Sequence, residues 1–468
     1  MTEPLWQWDE LVAAAQGRPD GAPAGAIAGF SIDTRTLQPG DVFVALKDVR
    51  DGHEFVADAF AAGAAAAVVA NDYPRGANDG ALLRAADPLS GLEAIGRAAR
   101  ARSNARVVAV TGSAGKTGTK EMLRLTLADA GATHASEKSY NNHWGVPLTL
   151  ARMPRGAEYG VFEIGMNHAG EITPLTRMVR PHVAVITTVE PVHLQYFHSV
   201  EAIAEAKAEI FAGLVPGGTA VLPRDNQHFA LLKERAMAVG ANVSTFGYDE
   251  SADVRCIQAN MDARGSSVIA GIDSRRFPYR MGAPGEHYVT NSLAVLAALV
   301  ALGADPMRCL AALVQVAAPA GRGARTILSG EGGRILLIDE SYNANPASVR
   351  AALAAMATVP RADFPRRVAV LGDMLELGEA SGELHRSLNE AVDAAGIDLV
   401  FACGPMMKQL FDHLAPGQQG AWTATSAELG PRLLDAVEAG DVVMIKGSLA
   451  SRMGPVAEAV RARFARVA

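Results

Sequence analysis

The sequence predicts an α/β protein of three domains: an N-terminal mixed α/β domain, a central domain of P-loop ATPase type built on a parallel sheet, and a C-terminal Rossmann-like α/β domain. Three observations carry this reading. Short β-branched runs alternate with alanine-rich helical stretches, the pattern of parallel sheets covered by helices. The chain has 468 residues, too many for one ordinary core at roughly 150 residues per domain. The alternation also restarts after Gly321, whereas residues 1–100 mix strands and turns.

Taken in order, Asp41–Leu46 reads as a strand before the turn Asp51-Gly52-His53, and Arg97–Arg106 as an arginine-rich link. Val107–Thr111 reads as a buried strand, followed by a glycine turn and a helix from about Lys116 to Ala130. Val161–Ile164, Val183–Thr188 and Ala220–Leu222 are further apolar runs at α/β spacing. In the last third, Ile335–Ile338, Val368–Leu371, Leu399–Ala402 and Val442–Ile445 read as strands. Ala347–Met356, Gly382–Ala395 and Pro455–Arg463 read as the helices among them. The domains are accordingly expected at 1–103, 104–318 and 319–468.

Composition narrows the function. The net charge of −7 argues against a protein that binds bulk nucleic acid by neutralising phosphates. Three scattered cysteines, Cys256, Cys309 and Cys403, make neither a disulfide framework nor a zinc site. The start, MTEPLWQWDELV, lacks the basic and apolar regions of a secretory signal. The most apolar stretches, from Ala61 and from Leu293, fall short of the ~18–20 residues that span a bilayer. A cytoplasmic protein with no membrane and no nucleic-acid partner is expected, acting as a monomer.

Thr111-Gly112-Ser113-Ala114-Gly115-Lys116-Thr117, placed between a strand and a helix, is the sharpest signal. Backbone N–H groups and a helix N-terminus converge there, which suits a polyphosphate. Lys116 can reach the β- and γ-phosphates, and the Thr117 hydroxyl can bind Mg²⁺. The strict pattern would need glycine at 110, where this chain has Val110. Four clusters accompany the loop: Glu163 at a strand end, Thr187–His193 at another, Lys207 between Glu205 and Glu209, and Ile338–Pro346 with two acids and an asparagine-rich turn. Ligands of open α/β sheets collect at the carboxyl ends of strands, so Glu163 and His193 are expected in the cleft of Lys116, as a Mg²⁺ shell. Taken singly, Glu163 also reads as a surface charge, His193 as structural, Lys207 as a solvated side chain and the asparagine turn as a helix cap.

These segments, in this order, resemble the Mur ligase family of bacterial cell-wall synthesis. The resemblance runs through Ser31-Ile-Asp33-Thr34-Arg35, Pro39–Leu46 and Asp51-Gly-His53, then the phosphate loop, Ser139–Thr149, Glu163-Ile-Gly-Met and His193…Lys207. It continues through Glu340-Ser-Tyr-Asn-Ala-Asn-Pro346, Val370–Gly378 and Lys446-Gly-Ser448. The strings at 341–346 and 372–378 look like the family member that adds D-alanyl-D-alanine. The chain departs from the family pattern at Gly118, often threonine, and at His287-Tyr288-Val-Thr-Asn291, often His-Asn-x-x-Asn.

The resemblance implies an ATP-dependent ligase that joins D-alanyl-D-alanine to UDP-N-acetylmuramoyl-tripeptide through an acyl phosphate. It implies that Gly112, Ser113, Ala114, Gly115, Lys116 and Thr117 hold ATP, that Arg322 reaches the phosphates, and that Asn291 lies on the adenine side. Glu340, with Asp339 as second choice, matches the acid that holds the ribose. One Mg²⁺ is implied at Thr117 and Glu163, and a second near His193 and a carbamylated Lys207. Ser31, Asp33, Thr34 and Arg35 fall in the UDP-binding domain; Asn141 and Asn142 match a loop beside the sugar-peptide; Asp373, Lys446 and Ser448 lie where the dipeptide docks. Lys116, Glu163, His193, Lys207 and Arg322 form the implied catalytic set. Charge neutralisation by cations suits transfer of a γ-phosphoryl group to a carboxylate. Alternatives are a sibling ligase for another amino acid, a folylpolyglutamate-synthetase-like ligase, and a nucleotide-controlled module that binds UDP-sugars without joining anything.

Overall fold

The computed structural model describes residues 4–137, 139–191, 195–262, 265–316, 321–330 and 332–466. Three sheets organise the described chain. The first has five strands, ordered Arg18–Asp20, Ala81–Ala85, Ala66–Ala70, Asp41–Val44 and Gly29–Ser31. All its pairings are parallel except the antiparallel edge strand Arg18–Asp20.

The second sheet has nine strands. Its parallel part runs Asn242–Gly247, Thr219–Pro223, Val183–Ile186, Arg106–Thr111, Tyr159–Glu163 and Thr133–Ala135. Strand order reverses at Arg106–Thr111, which pairs with Val183–Ile186 on one side and Tyr159–Glu163 on the other. That switch point is where an open α/β sheet leaves a crevice at the carboxyl ends of its strands. Val254–Asp262, Gly265–Ile272 and Arg275–Met281 extend the sheet, joined to one another as an antiparallel ribbon. Sequence reading had no strands here, because Val254–Asp262 lies mostly exposed with weak alternation.

The third sheet is ordered Gln419–Thr423, Leu399–Cys403, Arg366–Gly372, Asp441–Lys446, Gly333–Glu340, Ala324–Gly330 and Ala465–Arg466. Its first five strands are parallel and the last two are antiparallel. The class is therefore mixed α/β with three parallel-rich sheets. Long apolar clusters pack on both faces of the second and third sheets, as parallel sheets require.

Three elements differ from the sequence reading. The expected link at Arg97–Arg106 is helix in its first half: Pro88–Ala101 starts at Asp87, whose carboxylate accepts the Ser90 N–H at 2.8 Å. Within it Arg100 is buried, and it donates to the carbonyls of Val179, Ser103 and Arg180, tying this helix to the central sheet's helix Ile172–Val179. The expected helix Gly382–Ala395 is two, Ser381–Arg386 and Asn389–Ala394. Arg350 takes the Ser387 carbonyl at 3.1 Å and its hydroxyl at 2.8 Å, diverting the backbone at the break. The helix from Lys116 stops at Ala128, where Ala130 and Gly131 both turn back to the Leu127 carbonyl.

Candidate active site at the phosphate loop

The loop after Arg106–Thr111 is built by close backbone approach. Gly112 (φ +150°) has no room for a side chain, since a Cβ would lie 1.9 Å from Thr187 Oγ1. Gly115 (φ +82°) begins the helix in the left-handed region, and a Cβ there would lie 2.7 Å from the Asn291 amide. Ser113 is fixed by its N–H to the Thr188 carbonyl at 2.9 Å, and its hydroxyl donates to the Glu190 carbonyl at 3.1 Å. Thr187 donates to the Ala114 carbonyl. The loop is thus braced by the segment that follows the neighbouring strand.

Lys116 is half-buried and its ammonium donates to the Gly112 carbonyl at 2.6 Å. Burial holds its pKa below the ordinary lysine value; Glu163 opposes that shift and Arg322 adds to it. Thr117 donates to Glu163 Oε2 at 2.9 Å and lies 3.1 Å from the Ser139 hydroxyl. Asn141 donates to Glu163 Oε1 at 2.7 Å. Glu163 is only 1% exposed, so the surface-charge reading fails. Asn142 accepts the N–H of Gly145, the first residue of the helix Gly145–Ala151, at 2.9 Å.

Lys207 is 2% exposed on the helix Val200–Ala208. Its sequence neighbours do not pair with it. Glu205 binds Arg235 at 2.7 and 2.8 Å, and Glu209 accepts from Gly170 and from Thr173 at the start of the helix Ile172–Val179. Desolvation, then the nearby Lys116 charge, hold the Lys207 amine well below its ordinary pKa. His193 lies outside the described residues.

The third sheet reaches this cleft through Arg322, just before the strand Ala324–Gly330. Its guanidinium donates to the Ser139 hydroxyl at 3.3 Å, and the Tyr288 hydroxyl donates to its backbone carbonyl at 3.0 Å. The two acids at the end of Gly333–Glu340 are not equivalent. Asp339 is buried and accepts from Ser341, at 2.6 Å from its hydroxyl, and from Arg461 at 2.5 Å. Those bonds hold its carboxyl below the usual range against the opposing effect of burial. Glu340 meets Lys446 at 3.3 Å, and Lys446 also donates to the Asn343 carbonyl at 3.0 Å.

The remaining candidates spread outwards. Asp373 accepts the Met407 N–H at 2.7 Å and the Met406 N–H at 3.3 Å, and Ser448 accepts the Leu375 N–H at 2.9 Å. Both pin the 372–378 segment, and the Glu376 carbonyl there accepts the Gln195 N–H at 3.2 Å across to the central part. In the first sheet the Ser31 hydroxyl donates to the Asp33 carbonyl at 2.9 Å. Asp33 pairs with the exposed Arg35 at 2.6 Å, and Thr34 lies between them in the same turn. Among the described residues no hydrogen bond or ion pair joins Ser31–Arg35 or Asp373 to the phosphate loop.

Among the described residues no helix is long and apolar enough to cross a membrane. The Mur ligase middle domain matches residues 110–299, and the Mur ligase glutamate ligase domain matches residues 324–449. The chain is 34% identical to the UDP-N-acetylmuramoyl-tripeptide–D-alanyl-D-alanine ligase of Escherichia coli (strain K12), over 92% of each chain. The chain belongs to the Mur ligase family. Its fold matches the crystal structure of MurF from Acinetobacter baumannii with a TM-score of 0.83 and 30% identity, covering 97% of this chain and 98% of that one. MurF ligase from Thermotoga maritima in complex with ADP matches with a TM-score of 0.75 and 26% identity, covering 93% and 97%.

Two members of this candidate site escaped the sequence reading. Ser139 opens a string in which only Asn141 and Asn142 stood out, and Thr187 reads as an ordinary strand end. For both, the only signal was adjacency to a singled-out motif. The oxygen donors Thr117 and Glu163 suit a hard divalent cation. Among the described residues no group of three or more His, Cys, Asp or Glu converges. A shell there would be completed by oxygens of phosphate, water or a chemically altered Lys207.

Proposed function

We propose that this chain is an ATP-dependent ligase that adds D-alanyl-D-alanine to UDP-N-acetylmuramoyl-tripeptide, forming ADP, phosphate and an amide in cytoplasmic peptidoglycan precursor synthesis. One observation carries the chemistry: a phosphate loop on one sheet, with Lys116, Thr117 and Glu163, faces Arg322 from another. The activity itself is supported by the 34% identity over 92% of the named ligase.

The roles follow from charge and geometry. Glycines 112 and 115 let the backbone N–H groups approach the polyphosphate, with Ser113, Ala114 and Thr117 completing the cradle. Lys116 leaves its carbonyl to meet the γ-phosphoryl group, and Arg322 neutralises charge from the opposite wall as the carboxylate attacks. Bound Mg²⁺ would supply further charge neutralisation, held by Thr117 and Glu163, with His193 and a carbamylated Lys207 as the second set. A neutral buried amine is the form that reacts with CO₂, and the carbamate supplies the anionic oxygen that an ammonium lacks. Glu340, free of Asp339's two strong partners, is the better acid for a ribose, with Asn291 packed against the loop on the nucleobase side. We assign 1–103 with Ser31, Asp33, Thr34 and Arg35 to the UDP end, 104–318 to ATP and 319–468 to closure and the dipeptide. Asn141 and Asn142 border the sugar-peptide; Asp373, Lys446 and Ser448 shape the dipeptide's side.

The test is mass analysis of the product formed from UDP-N-acetylmuramoyl-tripeptide, D-alanyl-D-alanine and ATP. Condensation with loss of water, alongside stoichiometric phosphate release, is expected. Phosphate release driven by a single amino acid instead would make the chain a sibling ligase. Binding without any release would leave only a UDP-sugar-binding module.

A further inference from the structure

Arg322 is a long side chain that must hold one orientation in an open cleft, and the structure shows what orients it. Its guanidinium carbon sits 3.9 Å from the centroid of the Tyr342 ring. The ring is itself placed by backbone: the Tyr342 N–H donates to the Gly321 carbonyl at 2.9 Å, and the Gly323 N–H to the Asp339 carbonyl at 2.7 Å. Gly321 has φ +74°, and a Cβ there would lie 3.0 Å from Tyr342 Cβ, so the two turns are in contact. The guanidinium also reaches Ser139 at 3.3 Å, and Ser139 lies 3.1 Å from Thr117. Tyr342 is 37% exposed, and no hydrogen bond of its hydroxyl is seen among the described residues.

We propose that Tyr342 is a positioning residue: its ring face holds Arg322 over the phosphate loop before nucleotide arrives. An arginine ordered in advance loses less side-chain entropy when it meets a phosphate. Arg322 shares the Ser139–Thr117 end of the loop, where the Thr117 hydroxyl would hold Mg²⁺ beside the β- and γ-phosphates. The stack therefore favours a nucleoside triphosphate over the diphosphate. This rests on the ATP reading of the loop, and the experiment separates the two.

The experiment is calorimetry of Mg²⁺ with a non-hydrolysable ATP analogue and with ADP, on wild type, Tyr342→Leu, Tyr342→Phe, Arg322→Ala and the Tyr342→Leu/Arg322→Ala double variant. Loss of a cation–π contact costs on the order of tenfold in affinity when partly desolvated. Tyr342→Leu is expected to weaken the analogue by about that factor and leave ADP unchanged, whereas Tyr342→Phe, which keeps the ring, matches wild type. In the Arg322→Ala background, Tyr342→Leu is expected to have no further effect. Equal weakening of both nucleotides, loss in Tyr342→Phe, or a further loss in the double variant would overturn the proposal. Absence of amide product with intact nucleotide discrimination would sink the ligase reading alone. A wild type that does not discriminate between the nucleotides would sink this inference.

Discussion

An amine taken out of water keeps its charge only at a large desolvation cost, and Lys207 is such an amine, 2% exposed with the Lys116 charge nearby. Its sequence setting, between two glutamates, reads as a solvated surface; the structure gives both glutamates to other partners. No residue-level signal in the sequence separates these cases, because pairing to Arg235 or to a helix start depends on chain that is distant or folded back. The carbamate hypothesis makes a two-sided prediction. Lys207→Ala is expected to lose most activity, and acetate to restore part of it by filling the vacated anion position. Lys207→Arg is expected to stay inactive with acetate. An active arginine variant, with no acetate effect on the alanine variant, would show that Lys207 serves as a plain cation. Lys116 was legible from its strand–glycine–helix context alone, and Lys116→Ala is expected to lower turnover by about 10²-fold or more. Its circular dichroism should be unchanged, since the residue is only half-buried. Retained turnover at saturating ATP would remove Lys116 from the chemistry.

Elements whose apolar residues repeat simply were the ones the sequence revealed. The buried strands Arg106–Thr111, Tyr159–Glu163, Arg366–Gly372 and Asp441–Lys446 are short β-branched runs and stood out. The helix Glu286–Ala301 is buried nearly all round, so it has no polar face to mark its period and read only as an apolar stretch. The 372–378 segment was recognised as a string, yet what holds it was not: His385, fully buried on Ser381–Arg386. Its Nε2 accepts the Met374 N–H at 2.9 Å while Nδ1 donates to the Ser381 carbonyl at 2.7 Å, so the neutral ring serves both. Burial lowers its pKa below the ordinary value near 6.5. The unfolded chain then takes the proton first, so this contribution is complete above pH ~6.5 and is lost as pH falls towards the folded value. His385→Gln is expected to cost roughly 1–3 kcal/mol at neutral pH and to flatten the fall of Tm below pH ~6.5. Thermal melts from pH 5 to 8 check this. An unchanged acid slope would mean that the ring is not what titrates.

Across the whole molecule, the cleft is made by residues far apart in the chain: Arg322 meets Ser139, 183 positions away. Alternation of strands and helices revealed that there are three sheets, but not how the third leans on the second, because that contact is a few polar bonds rather than a shared core. Gln195 to Glu376, Tyr288 to Arg322 and Arg322 to Ser139 are such bonds, each worth about 1 kcal/mol or less in water. The first sheet is joined differently. Trp6 donates to the Ala151 carbonyl at 2.9 Å, Arg152 to Phe30, and Arg100 to Val179, burying the seam with the second sheet. The N-terminal and central parts are therefore joined by a buried seam, whereas the third rests on a few polar contacts, which is what closure around the proposed acyl phosphate would need. Arg322→Ala removes the third sheet's charge from the phosphates while leaving the first sheet's turn at Ser31–Arg35 untouched. Turnover is expected to fall about 10²-fold, with the Kd for UDP-N-acetylmuramoyl-tripeptide within about twofold of wild type. Steady-state kinetics and calorimetry on one preparation measure both. Lost affinity for the UDP-substrate with unchanged turnover at saturation would place Arg322 on the sugar-peptide rather than on ATP. The third sheet would then close around a different ligand.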